Sequence, residues 1–112
     1  MNFETLYESM KTIFEQADMS HVTEDIAIEF QVYGEYEGVF YLEIKNGVVS
    51  MEPYEYIDRD ALLIARGNAW LEIIRKDIHP SLAFAVGKLK VVGNRAKVSF
   101  IRDVFDQYMK LK

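Results

Sequence analysis

Apolar residues open the chain at three- and four-residue steps: Phe3, Leu6, Tyr7, Met10, Ile13, Phe14 and Ala17. That spacing gathers them on one stripe, so a helix is predicted from about 3 to 18, with Asn2 able to accept an orphan N–H as its amino-terminal cap. Over residues 25–33 the period drops to two, with Ile26, Ile28, Phe30 and Val32 on one side and Glu29, Gln31 and Tyr33 on the other. Such alternation describes a half-buried strand. Gly34 to Gly38 form a turn, and residues 39–45 make a second strand with Phe40, Leu42 and Ile44 inward.

Asn46-Gly47 is the strongest local signal, because both residues tolerate the positive φ of a two-residue hairpin turn. Residues 48–52 should therefore fold back as a third strand, ended by Pro53, which has no N–H for a ladder. Ala61 to Ala65 is a short apolar run suited to a strand buried on both faces. Asn68 is positioned to cap a helix over about 69–77, Pro80 starts another that runs to about Val86, Lys88 to Val92 reads as a fifth strand, and a last helix is expected from about 95 to 110. The order α-β-β-β-β-α-α-β-α, without repeats or linkers, predicts one α+β domain over residues 1–112 with helices gathered against a single sheet.

The last helix departs from the usual single stripe. Val98, Ile101, Phe105, Tyr108 and Met109 form one, and Phe100, Val104 and Leu111 a second beside it. So wide an apolar arc suits a cavity wall, a dimer contact or deep burial.

Composition narrows the function classes. The chain has 112 residues, no cysteine and a net charge of −5, which excludes disulfides, thiolate metal sites and cysteine nucleophiles. Acidity also argues against nucleic acid as a partner, since affinity there rests on neutralising phosphates. The charge is unevenly placed: residues 1–60 carry 14 Asp and Glu against 3 Lys and Arg, a balance of −11, whereas residues 61–112 carry 10 Lys and Arg against 4 Asp and Glu, a balance of +6. The amino terminus lacks the basic-then-apolar order of a signal peptide, no run is long enough for a membrane span, and a cytoplasmic location is expected.

Catalytic motifs are not evident. His21 and His79 lack metal-ligand spacing, and the acidic stretch around Asp58 and Asp60 lacks the glycine and closing glutamate of a calcium loop. Gly87-Lys88 is followed by leucine where a phosphate loop needs a hydroxyl, and no serine sits in a Gly-x-Ser-x-Gly elbow. Glu29, Tyr41 and Glu43, the groups a buried acid–base site would use, are pointed outward by the alternation. No enzyme, metal or cofactor is expected.

Three segments carry a family resemblance: Tyr41-Leu42-Glu43-Ile44-Lys45-Asn46-Gly47, Asp60 to Ala65, and above all Pro80-x-x-Ala83-Phe84-x-x-Gly87-Lys88-Leu89-Lys90-x-x-Gly93. Together they resemble the sterol carrier protein 2 family of lipid-binding domains. The resemblance implies a five-stranded mixed sheet, mainly antiparallel, with helices on one face and an apolar tunnel between. It also implies non-catalytic binding of a fatty acid, acyl thioester, isoprenoid or sterol-like ligand, with the final helix closing over the tunnel mouth. Lys76-Asp77-Ile78 before His79-Pro80, and Arg95 and Lys97 after Gly93, depart from the family pattern. The missing peroxisomal ending points to a bacterial-type, free-standing member.

On that basis the ligand walls are expected to be Phe30, Leu42, Leu63, Trp70, Ile74, Phe84, Ile101 and Phe105, which point inward on their elements. The basic set Arg75, Lys76, Lys88, Lys90, Arg95 and Lys97 could meet a headgroup or an anionic membrane surface. Alternating Lys88 and Lys90 also suit an exposed edge strand. The alternative function is an interaction module of the same fold, its cavity filled, so that either a monomer or a homodimer fits.

Overall fold

The structure, a computed structural model, describes residues 1–111. Helix α1 (Phe3–Gln16) is followed by β1 (Ile26–Tyr33), β2 (Gly38–Lys45), β3 (Val48–Glu52) and β4 (Ala61–Arg66). Then come α2 (Gly67–Ile74), α3 (Pro80–Ala85), β5 (Leu89–Gly93), a 3-10 turn (Arg95–Val98) and α4 (Phe100–Lys110). The strands form one sheet in the order β3-β2-β1-β4-β5. Only β1 and β4 run parallel; the other three pairings are antiparallel. The α+β architecture expected from the pattern, and the five-stranded, mainly antiparallel mixed sheet that the resemblance implies, are the ones observed.

Local chemistry explains most boundaries. The Asn2 side chain accepts the Thr5 N–H at 2.8 Å and caps α1. Asn46 and Gly47 take φ of 52° and 77°, the left-handed pair that closes the β2–β3 hairpin. The register then aligns Phe30 of β1 with Phe40 of β2 and Leu63 of β4. These side chains meet α1, α2 and α4 on one face, where Phe14, Phe30, Phe40, Trp70 and Phe105 are almost wholly buried. Phe30 stacks on Phe40 with ring centres 4.7 Å apart, and Phe14 meets Phe30 and Phe105 edge-on at 5.8 Å. Aromatic rings therefore occupy the layer between sheet and helices.

Three expectations are corrected. Helix α2 begins at Gly67 rather than 69, and its cap is not the Asn68 side chain. The Glu35 carboxylate does this work from the β1–β2 turn, accepting the Asn68 N–H at 3.0 Å while pairing with Arg66. The helix stops at Ile74, three residues early, because Lys76 turns left-handed (φ 66°) and the Asp77 N–H closes on the Glu72 carbonyl at 2.9 Å.

The expected helix over 95–110 is broken at Ser99. Asn94 accepts the N–H groups of Ala96 and Lys97, tightening the first turn to 3-10 geometry, and α4 starts afresh at Phe100. Phe100, Val104 and Phe105 are buried in the core, which absorbs most of the wide arc, while Leu111 is exposed.

The third correction concerns Glu29. It does point away from the helices, yet it is only 2% exposed. Residues 53–60, joining β3 to β4, cross that face of the sheet as a strap. The Glu29 carboxylate accepts the Tyr56 N–H at 3.0 Å and the Gln31 side-chain amide at 3.1 Å, with Arg59 3.7 Å away. The strap is fastened again where Ala27 and Asp60 exchange hydrogen bonds of 2.7 and 2.8 Å.

Candidate functional site

At the β5 edge of the sheet an open cleft of about 540 Å³ lies between α3, β4–β5, the 3-10 turn and the start of α4. Its walls are mostly apolar: Leu63 from β4, Leu89 and Val91 from β5, Phe84 from α3, Val98 from the 3-10 turn and Ile101 from α4. Each position follows from a local pattern. Leu89 and Val91 are the inward members of β5, set in register against Ala65 and Leu63. Phe84 projects from α3, which starts at Pro80, where the missing N–H costs nothing.

His79 caps α3. Its Nδ1 accepts the Ser81 N–H at 3.0 Å, so Nε2 carries the proton that faces Asp106 at 2.8 Å. The same contact ties the start of α3 to α4 beside the cleft.

The rim is polar. Arg95 and Arg102 line it with Ser81, Ser99 and Asp103, and the Arg95 guanidinium lies 5.3 Å from the centre of the Phe84 ring. Asp103 already faces His21 at 3.3 Å. Several cations of the basic half have partners: Lys88 pairs with Glu72 at 3.2 Å, Lys97 with Asp60 at 3.5 Å, and Lys76 reaches the Leu111 carbonyl and covers the Tyr108 ring. Among the described residues Arg95 and Arg102 have no carboxylate partner. The arrangement can take a molecule that is mostly hydrocarbon and carries a polar or anionic end. No three His, Asp or Glu among the described residues come together as a metal site.

Of the eight expected wall residues, Leu63, Phe84 and Ile101 line this cleft. Phe30, Leu42, Trp70 and Phe105 lie in the core, and Ile74 packs half-buried against it; none of these five faces the cleft. Leu89, Val91, Val98 and Arg102 are not among the eight expected walls, although Val98 belongs to the wide apolar arc of the last helix. The alternation of Leu89 and Val91 with Lys88 and Lys90 was the available signal for two of them.

A model of the SCP-2 sterol transfer family matches residues 14–106. The chain belongs to the SCP-2 sterol transfer family. Family membership makes it a domain of the lipid-binding, generally non-catalytic SCP-2 type. Among solved structures, palmitated SCP2L2 from Aedes aegypti is similar at 15% identity with a TM-score of 0.74, over 94% of this chain and 95% of that one. The ubiquinone synthesis protein UbiJ-SCP2 is similar at 15% identity and TM-score 0.67, over 94% and 93%. The sec-alkylsulfatase PisA1 of Pseudomonas sp., in a double-mutant structure, matches at 15% identity and TM-score 0.70 over 85% of this chain. There the chain spans only 15% of the enzyme's length, as one part of a larger protein. No curated protein matches the chain significantly. Among the described residues no helix is long and apolar enough to cross a membrane.

Proposed function

We propose that the chain binds the hydrocarbon part of a lipid in the cleft at the β5 edge and carries it without chemical change. Leu63, Phe84, Leu89, Val91 and Ile101 are the walls in this reading. The observation that carries it is the combination of an apolar cleft with an SCP-2 fold; a volume of about 540 Å³ lies within the roughly 300–1,000 Å³ typical of small-molecule sites. Palmitate is a relevant probe because the Aedes aegypti relative is palmitated. Each sheltered methylene gains about 0.8 kcal/mol, so a sixteen-carbon chain fully sheltered gains on the order of 10 kcal/mol before the costs of immobilisation. An open cleft shelters part of it, and affinities on the order of micromolar follow.

The filled aromatic layer favours a second reading, an interaction module that associates through an apolar face and holds no lipid. Native mass spectrometry of the gently purified protein, before and after addition of palmitate, separates the two. Stoichiometric lipid, lost in Phe84→Glu, supports the carrier. A clean unliganded mass that takes up nothing and doubles with concentration supports the module.

A further inference from the structure

The two edges of the sheet are treated differently. In β3 the two-residue turn at Asn46-Gly47 makes Lys45 and Val48 a bonded pair, and alternation then turns the backbone of Val49 and Met51 outward. That edge is covered, because Met51 is buried and its carbonyl accepts the Tyr7 hydroxyl of α1 at 2.9 Å.

The β5 edge is open. The Asn94 N–H donates to the Asp60 carbonyl at 2.9 Å, one step beyond the Ala61–Gly93 pair. Bonded pairs alternate in an antiparallel ladder, so Lys90 and Val92 bond to Ile64 and Leu62. Leu89, Val91 and Gly93 then turn their N–H and C=O groups away from β4. Among the described residues no backbone group outside the sheet bonds to these three. Lys90, Val92 and Gly93 are exposed, and such a row of open donors and acceptors is a template for another strand.

The side chains on either side of this row differ in chemistry. Leu89 and Val91 line the cleft, together with Phe84, Val98 and Ile101. Lys90, between them, faces the other side of the sheet. Its cross-strand neighbour there is Ile64, its diagonal neighbours are Leu62 and Arg66, and Lys88 and Val92 flank it along the strand. None of these is acidic, and Glu35 and Glu72 are taken by Arg66 and Lys88. Asp77 follows α2, and Asp103 and Asp106 stand on α4, so these carboxylates belong to the helix layer.

We infer that β5 takes an extended acidic peptide of a partner protein as one more strand of the sheet. Main-chain bonds to Val91 and its two outward neighbours hold the peptide. Apolar side chains opposite Leu89 and Val91 enter the cleft, and a carboxylate opposite Lys90 pairs with it on the other face. Charge complementarity selects this occupant over a second copy, since β5 joined to β5 would set one Lys88–Lys90 edge against another. The inference goes beyond lipid carriage and uses backbone groups that carriage does not.

The probe is a capped peptide, Ser-Val-Glu-Val-Glu-Val-Ser, titrated into the isotope-labelled full chain and followed by NMR and calorimetry. Exchange of the Val91 amide with solvent should slow roughly tenfold or more in the complex. N-methylation at the middle valine and the glutamate after it keeps the side chains and removes strand donors; it should weaken binding at least about tenfold. Lys90→Glu should weaken the acidic peptide roughly fivefold and favour a version with lysine for glutamate. Its unfolding midpoint and its lipid uptake should not change, because Lys90 is exposed and outside the cleft. Val91→Pro removes only an outward donor, so it should keep the ladder with β4 and lose the peptide. If that variant does not fold, the methylated peptide and the charge swap still decide. Equal binding of the methylated peptide, an unslowed Val91 amide, or Lys90→Glu binding both peptides like the parent each overturn the proposal. A protein that doubles its mass through β5 and ignores the peptide overturns it in favour of a second copy. Lipid uptake by native mass is a separate readout, so failure of this inference and failure of carriage are distinguishable.

Discussion

Tyr56 joins the strap to the sheet twice, through its N–H to Glu29 and through its hydroxyl, which donates to the Glu43 carboxylate at 2.5 Å. The bond to Glu43, followed by desolvation, pushes the Tyr56 hydroxyl up to about 12 from its ordinary 10. Tyr7 is also pushed up to about 12, first by burial and then by the Glu52 charge. Its hydroxyl donates to the Met51 carbonyl at 2.9 Å. Above pH 10 the unfolded chain loses these protons while the folded chain keeps them, so stability is full below pH 10 and falls as pH rises toward 12. Denaturant midpoints across that window should show the fall, and Tyr56→Phe should reduce its steepness. Gly67 has a different reason to be invariant in any working variant. A Cβ there would stand 1.9 Å from the Glu35 carbonyl oxygen, which is backbone and cannot step aside. Gly67→Ala should therefore cost about 2–3 kcal/mol, read as a lowered urea midpoint at unchanged slope.

Among the elements, α2 shows how a helix can be started by a residue far away in sequence. Glu35 satisfies the Asn68 N–H from the β1–β2 turn, and Arg66 and that N–H hold its carboxyl below the usual carboxylate range. A depressed carboxyl contributes stability above its ordinary pH range and loses it as pH falls through the lowered value. Glu35→Ala should lower the unfolding midpoint at neutral pH and remove part of the acid-side decline. Asn68→Ala should leave both almost unchanged, because the Asn68 side chain is not the cap. Comparing the two variants in thermal melts at neutral and acid pH checks this. Sequence reasoning chose Asn68 because capping preference is counted along the chain, and a carboxylate arriving from another turn has no local signature. The break at Ser99 was missed for a related reason: Asn94 can cap an α-helix or tighten a 3-10 turn, and packing decides which.

For the whole molecule, core and candidate site share Leu63, Leu89 and Ile101 but part at Trp70 and Phe84. Trp70 is buried among the aromatic rings, with its indole N–H donated to the Gln31 carbonyl at 3.2 Å. Trp70→Ala should cost about 3–5 kcal/mol through the cavity and the lost bond. Phe84 is 41% exposed on the cleft wall, so Phe84→Ala should cost under about 1 kcal/mol. Lipid uptake should respond the other way among folded molecules, dropping for Phe84→Ala and persisting for Trp70→Ala. Paired unfolding curves and uptake measurements at low temperature check the contrast.

The sequence by itself determined the elements, the faces they bury and the hairpin at Asn46-Gly47, because each depends on periodicity or on the φ of a few neighbouring residues. It also carried the SCP-2 pattern from Pro80 to Gly93, a stretch that contains Phe84, Leu89 and Val91 of the cleft wall. Only the tertiary structure decided which inward residues face a void. Phe30, Leu42 and Leu63 read alike as inward strand positions, yet only Leu63 reaches the cleft. The difference is set by what stands opposite each one: aromatic rings close-pack over Phe30, whereas Leu63 faces the gap bordered by Phe84 of α3, the 3-10 turn and the start of α4. Burial of Glu29 has the same origin, since alternation specifies a face of the sheet and the strap that covers that face arrives from elsewhere in the chain.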